Sequence, residues 1–298
     1  MDQVMTPELE KMMEELQKLM EELNKDEIEE QLEKMDLSNE DMEKELDRAL
    51  EQFKQLEWEQ KMEEAITELE KLAEQEEKLS EEAEDKNSNP DEIKEKQDQL
   101  NEDFKKLEEE LKEIEKLNKE LETPNETPQT GEKQEEIKQD MNKSSEELQK
   151  QQKSKASKSQ KSAAKKMQEM AQQMESSMAS NEQEKQEEDM EALRALLENI
   201  ITLSFDQELL MDEFKSVDTK DPKFNKYAQT QRKLKDDAKM VEDSLFALSK
   251  RVPQLSAMVN HEINLVNQNM DGSLVEIAER KLPQITTHQQ YVMTSFNN

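Results

Sequence analysis

Only two glycines, Gly131 and Gly272, occur in 298 residues. Glycine supplies the positive-φ positions on which tight hairpins, phosphate-cradling loops and strained nucleophile turns depend. A chain nearly without it has given up most routes to a loop-built active site. Glu, Lys, Gln, Leu and Met fill the sequence instead, with 39% charged and 3% aromatic residues. Long helices and coiled coils have this composition.

A hydrophobic content of 32% and a net charge of -33 would also suit a disordered chain. Sustained apolar periodicity separates the two cases, and it is present here, so helices with disordered joints are expected. Most of the acidic excess lies before residue 131, which opposes binding to nucleic acid or anionic lipid through that half. Cysteine is absent, so disulfides are excluded and no redox compartment follows. No run approaches the roughly 18–20 apolar residues of a membrane span, and Met1-Asp2-Gln3-Val4 does not begin a secretion signal. Any membrane contact would come from segments outside this chain.

The periodicity begins at Thr6-Pro7-Glu8, an N-cap residue followed by proline and an acid. Leu9, Met13, Leu16, Met20 and Leu23 then alternate at spacings of four and three, a coiled-coil seam. A second helix is predicted over about 39–84. Its seam runs Met42, Leu46, Ala49, Phe53 and Leu56, skips near Trp58, and resumes at Met62, Ile66, Leu69 and Ala73. Asn89, Pro90 and Glu92 form a capping signature for a third helix, whose seam includes Ile93, Gln97, Leu100, Phe104, Leu107, Leu111, Ile114 and Leu121. The short joint between these two helices predicts an antiparallel coiled-coil hairpin within an acidic region, 1–123.

The linker Thr123–Lys133, marked by Pro124, Pro128 and Gly131, leads from that region into the next, 124–188. A polar Lys/Gln/Ser/Met-rich helix follows, with a thin apolar face, expected to pack weakly and to be mobile. From 189 to 298 a wider stripe returns. Met190, Leu193, Leu197, Ile200, Met211 and Phe214 form a seam that Leu196, Ile201, Leu203 and Leu210 broaden, as in a helical bundle. Asp221-Pro222 caps the next helix, Pro253 breaks the run, and Gly272 reads as a helix stop before a capping box at Ser273 and Glu276. The apolar face of Ile285, Tyr291, Val292 and Phe296 is still open at Asn298, so a truncated bundle is expected. The fold class is therefore all-α: hairpin, polar helical connector, C-terminal bundle.

Little here resembles catalytic machinery. His261-Glu262 begins like a zinc helix, but the fourth position after His261 is Leu265 and the second histidine is His288; packing or surface roles are the simpler account. Met167, Met170, Met174 and Met178 read as interface filler, with a soft-metal site as the rival. The acidic pairs Glu14-Glu15, Glu29-Glu30, Glu63-Glu64 and Glu81-Glu82 lack any calcium loop. No phosphate-binding loop or nucleophile motif occurs. Neither cofactor nor metal is expected, and no enzyme activity. Lys150, Lys153, Lys155, Lys158, Lys161, Lys165 and Lys166 form a basic stretch without an intervening acid. They could bind a polyanion or a membrane surface, but no arginine or aromatic is interleaved; a solvated face, or pairing with the acidic hairpin, is the simpler account.

Three stretches carry a resemblance: Leu197 through Glu208 (LENIITLSFDQE), Ser249 through Pro253 (SKRVP) and Gln290 through Asn298 (QYVMTSFNN). They resemble the C-terminal helical part of an uncharacterised family of membrane-anchored envelope proteins of Bacteroidota-type bacteria. The resemblance covers about a third of the chain and implies a cell-envelope or periplasmic location and continuation beyond Asn298. It implies no catalytic residue. Together these features predict a non-enzymatic scaffold that acts through helix–helix contacts with itself or another protein. Leu197, Ile201, Met211, Phe214, Val292 and Phe296 form the candidate partner face; a polyanion- or membrane-surface-binding module using Lys150–Lys166 is the alternative.

Overall fold

The computed structural model describes residues 39–252 and 255–298, except the side chains of 39–42 and 256–259. The heptads of Leu9 to Leu23 and the Pro253 break lie outside the described residues. Among those described, the chain is all-helical, with seven helices and no strand. These are α1 (Asn39–Glu84), α2 (Pro90–Glu120), α3 (Gly131–Gln149), α4 (Lys153–Ser216), α5 (Lys223–Ser249), α6 (Ser256–Ala278) and α7 (Leu282–Asn297). They pack into two compact units, one ending at Glu184 and the other beginning at Lys185. The 64-residue α4 contributes its first half to one unit and its second half to the other.

In the first unit, α1 and α2 run antiparallel: Glu82 pairs with Lys96 near the turn, and Glu51 accepts from the Glu122 amide at the far end, 2.8 Å. Asn89 caps α2 by accepting from the Asp91 amide, 3.1 Å, and its side-chain amide reaches Glu92. The buried face of α1 differs in phase from the sequence seam. Trp58, placed at the skip, is buried, whereas Leu56 is 52% exposed. From Trp58 onward, Met62, Ala65, Leu69, Leu72, Glu76, Leu79 and Ala83 keep strict four–three spacing on the buried side.

The polar stretch of 134–180 is packed, contrary to expectation. Ile137, Met141 and Leu148 of α3 join Ala156, Ala163, Met167, Met170, Ala171 and Met174 of α4 in one core with α1 and α2. Side-chain size misled the expectation. Alanine and serine (Ser144, Ser157 and Ser159 are also buried) supply little apolar area but let helix backbones approach closely, so a narrow stripe suffices. The stretch is also two helices. At Lys150-Gln151-Gln152 the Gln152 amide bonds to Glu147 O and the Gln151 amide to Leu148 O, both 2.8 Å, with Gln151 at φ 57°. That is a Schellman stop with glutamine in the left-handed position.

In the second unit, the latter half of α4 packs with α5, α6 and α7 around Leu203, Leu210, Phe214, Phe224, Leu234, Met270, Ile285 and Val292. Phe214 meets Phe224 and Tyr227 edge-on, at 5.4 and 5.7 Å. The Asp221 carboxylate accepts from the Lys223 amide, 2.8 Å, the capping role that Asp221-Pro222 suggested.

Gly272 does not stop a helix. It lies inside α6, which continues to Ala278, and its φ is not positive. Its role is close approach: a Cβ there would lie 2.5 Å from Cε1 of His288 on α7. The stop comes at Arg280, φ 56°, where the Lys281 amide bonds to Glu276 O and the Arg280 amide to Ile277 O. Both left-handed caps thus lack glycine, and an internal glycine admits an imidazole. A left-handed non-glycine residue costs about 1–2 kcal/mol, so Gln151→Gly is expected to raise stability by about 1 kcal/mol. Gly272→Ala should lower it by about 1 kcal/mol, overpacking outweighing helix propensity. With His288→Ala beside it, Gly272→Ala should become stabilising; thermal unfolding of the single and double variants checks the sign.

Candidate functional site

The second half of α4 is apolar on two faces. One is buried, carrying Leu196, Leu203, Gln207, Leu210 and Phe214. The other carries Met190, Leu193, Leu197, Ile201, Phe205 and Leu209, which are 39% to 65% exposed. From Leu193 to Leu209 the spacing is four throughout, so these side chains form a single ridge inclined to the helix axis. At about 200 Å² for a large side chain, their exposed fractions amount to about 600–700 Å² of apolar surface. Patches of that size on soluble proteins mark interaction sites. A bundle helix needs one apolar face to fold, and none of these six residues belongs to the core of its unit.

The sequence-derived partner face divides on this surface. Leu197 and Ile201 lie on the exposed ridge. Phe214 and Val292 are buried in the second core, Phe296 is half-buried against it, and Met211 is also buried; the fold has already used them. Met190, Leu193, Phe205 and Leu209 were missed as partner residues. The clue to them was the regular interval of four, which heptad counting obscured.

The basic stretch is largely engaged within the protein. Lys153 donates to Ser88 O and Ser88 Oγ, 3.0 and 2.8 Å, and to Asp85 O, closing the α1–α2 turn. Lys161 pairs with Glu84, 2.7 Å, a bond that raises the lysine pKa and lowers that of the acid. Lys166 bridges Asp140 and Glu136 on α3, 2.9 and 3.0 Å. Lys150, just past the end of α3, pairs with Glu146, and Lys165 with Glu169 on α4, both at 3.6 Å. Lys155 and Lys158 remain exposed.

The other candidates have packing roles. Met167, Met170 and Met174 are buried in the first core. His288 packs over Gly272 with Nδ1 2.9 Å from Asn269 Oδ1. Glu63, Glu64, Glu81 and Glu82 face solvent, and the two earlier acidic pairs lie outside the described residues. Among the described residues no cluster of three metal-ligating side chains occurs, and no helix is long and apolar enough to cross a membrane.

Among the described residues, Glu76 is a fully buried acid with a strongly shifted pKa. Gln97 Nε2 donates to its Oε1, while Gln97 Oε1 accepts from Ser144 Oγ and Gln160 Nε2, both 2.8 Å. One polar layer thereby joins α1, α2, α3 and α4. Two buried acceptors are left over, Glu76 Oε2 and Gln160 Oε1; protonating Glu76 turns one of them into a donor. Burial pushes this carboxyl from 4.5 to about 8, with the Gln97 bond acting in the opposite sense. Such shifts often mark active sites, but here the group lies inside a closed bundle layer, and its role is packing.

Below about pH 4.5 folded and unfolded chains both hold the Glu76 proton; between there and about 8 only the folded chain does. Stability should therefore fall as pH rises through that window and level off above it. Glu76→Gln should remove that part of the slope in unfolding followed against pH. On α4, Phe214→Ala should cost about 3–5 kcal/mol, whereas Phe205→Ala should change the stability of a single copy by less than about 0.5 kcal/mol, as chemical denaturation at high dilution would report.

No family model matches the chain, and no curated protein or solved structure shows significant similarity to it.

Proposed function

We propose that this protein is a non-enzymatic helical scaffold whose exposed α4 ridge, Met190 to Leu209, is a docking face for a partner helix. The ridge carries the proposal. An apolar face of this size, on a chain so rich in charge, is costly to leave in water and is not needed by its own bundle. A ridge of residues four apart suits another helix, whose side chains can enter the grooves beside it. The antiparallel α1–α2 pair belongs to the same proposal as a coiled-coil hairpin that stiffens the scaffold.

The internal pairing of Lys153, Lys161 and Lys166 supports scaffolding over polyanion binding, because contact with a polyanion would have to compete with those bonds. An envelope location is part of the proposal and rests on the three stretches quoted from the C-terminal region; the comparisons add nothing to it.

The test is site-specific photocrosslinking in the producing cell, with a benzophenone side chain at Phe205 and, as control, at exposed Glu63. Docking at the ridge should give discrete adducts from position 205 and none from position 63. Equal or absent adducts at the two positions would refute it.

A further inference from the structure

We infer that the helix received by the α4 ridge is the same ridge of a second copy, laid antiparallel about a two-fold axis at Ile201. This rests on the docking function proposed above and names its partner. The ridge is self-complementary in sequence about that point. Four residues either side of Ile201 stand Leu197 and Phe205, and eight either side stand Leu193 and Leu209. Seven residues either side stand Arg194 and Glu208; seven residues are almost two full turns, so both share the face of Ile201. Both are exposed. Fourteen residues either side, the same reflection sets Glu187 against Lys215.

A two-fold contact is self-complementary: if residue i of one copy meets j, then j of the first meets i of the second. Antiparallel pairing therefore brings Arg194 to Glu208 twice, with apolar pairs Leu193–Leu209 and Leu197–Phe205 between them and Ile201 on Ile201. Parallel pairing about the same centre would oppose Arg194 to Arg194 and Glu208 to Glu208, and like charges at an interface select against that register. Because the charged pairs stand seven residues out, on rows that run nearly along the axis, the two helices should lie close to antiparallel. Met190 falls opposite Asp212, so the apolar contact runs from Leu193 to Leu209. By the same exposed fractions it buries at most about 1,000–1,100 Å² of apolar surface across both copies, close to the lower limit of specific interfaces.

Sedimentation equilibrium of the purified chain, with circular dichroism to verify folding, tests the pairing. The unaltered protein should be a dimer at micromolar concentration. Arg194→Glu and Glu208→Arg should each weaken it by about tenfold or more, since each change turns two attractive pairs repulsive. Combining both changes should restore it. The absence of native cysteine allows a second measurement. Under mild oxidation Ile201→Cys should crosslink two copies, as should the double variant Leu197→Cys/Phe205→Cys, whereas Leu193→Cys alone should not. A chain that is monomeric at 100 µM, or Leu193→Cys crosslinking as readily as Ile201→Cys, would overturn the inference. If the chain is monomeric but photocrosslinks at Phe205 have another protein's mass, self-pairing alone fails; if those adducts are also missing, docking at the ridge fails with it.

Discussion

Gln97 hydrogen-bonds to a side chain on each of the other helices in its bundle: Glu76, Ser144 and Gln160. Leucine, methionine and alanine pack in many registers at similar energy, so a core built from them alone leaves helix alignment poorly determined. A buried amide is less tolerant. Sliding one helix by a turn would leave its donor or acceptor unpaired, at about 1–3 kcal/mol for each group. The second unit repeats the device. Gln207 and Gln231 exchange hydrogen bonds of 3.0 and 2.8 Å, Gln289 donates to Gln231 at 2.7 Å, and Gln231 Nε2 reaches Met270 Sδ at 3.0 Å. Each bundle is aligned by one glutamine-centred layer, and apolar packing fills in around it.

Fixed registers determine which side of α4 is left outside. In the second unit the helix turns Gln207 into the polar layer, with Leu203, Leu210 and Phe214 beside it. The residues at steps of four from Leu193 to Leu209 are thereby committed to the outer side. The ridge is thus a consequence of core register, and it would not survive a change of which face α4 buries. Its apolar character is compatible with a highly charged chain because the flanking positions carry Arg194, Glu198 and Glu208, which limit indiscriminate association and leave room for a specific one.

Helix existence and several caps could be read from the sequence, because they depend on local chemistry. The span of α1 and the Asn89-Pro90-Glu92 start of α2 emerge as expected. What escaped were features decided by neighbours. Whether Leu56 or Trp58 turns inward depends on the helix across from it. The packed state of Ala156 and Ala163 depends on how closely two backbones approach, which hydrophobic periodicity does not record. Gly272 has the local signature of a stop, yet His288, sixteen residues away, requires it. Of the partner face, Leu197 and Ile201 could not be told from Met211 and Phe214 by sequence, since all four belong to one wide stripe. Only the packing of the other helices of the unit divides that stripe into core and ridge.

Self-complementarity about Ile201 makes a definite geometric claim, and an inter-copy distance tests it most directly. With no native cysteine, a single spin label can be placed at exposed Glu188, thirteen residues from the proposed centre and away from the ridge. At 1.5 Å per residue, antiparallel copies should hold the two labels roughly 40 Å apart. A distance near 20 Å, as parallel copies would give, or the absence of dipolar coupling between copies, would contradict the account.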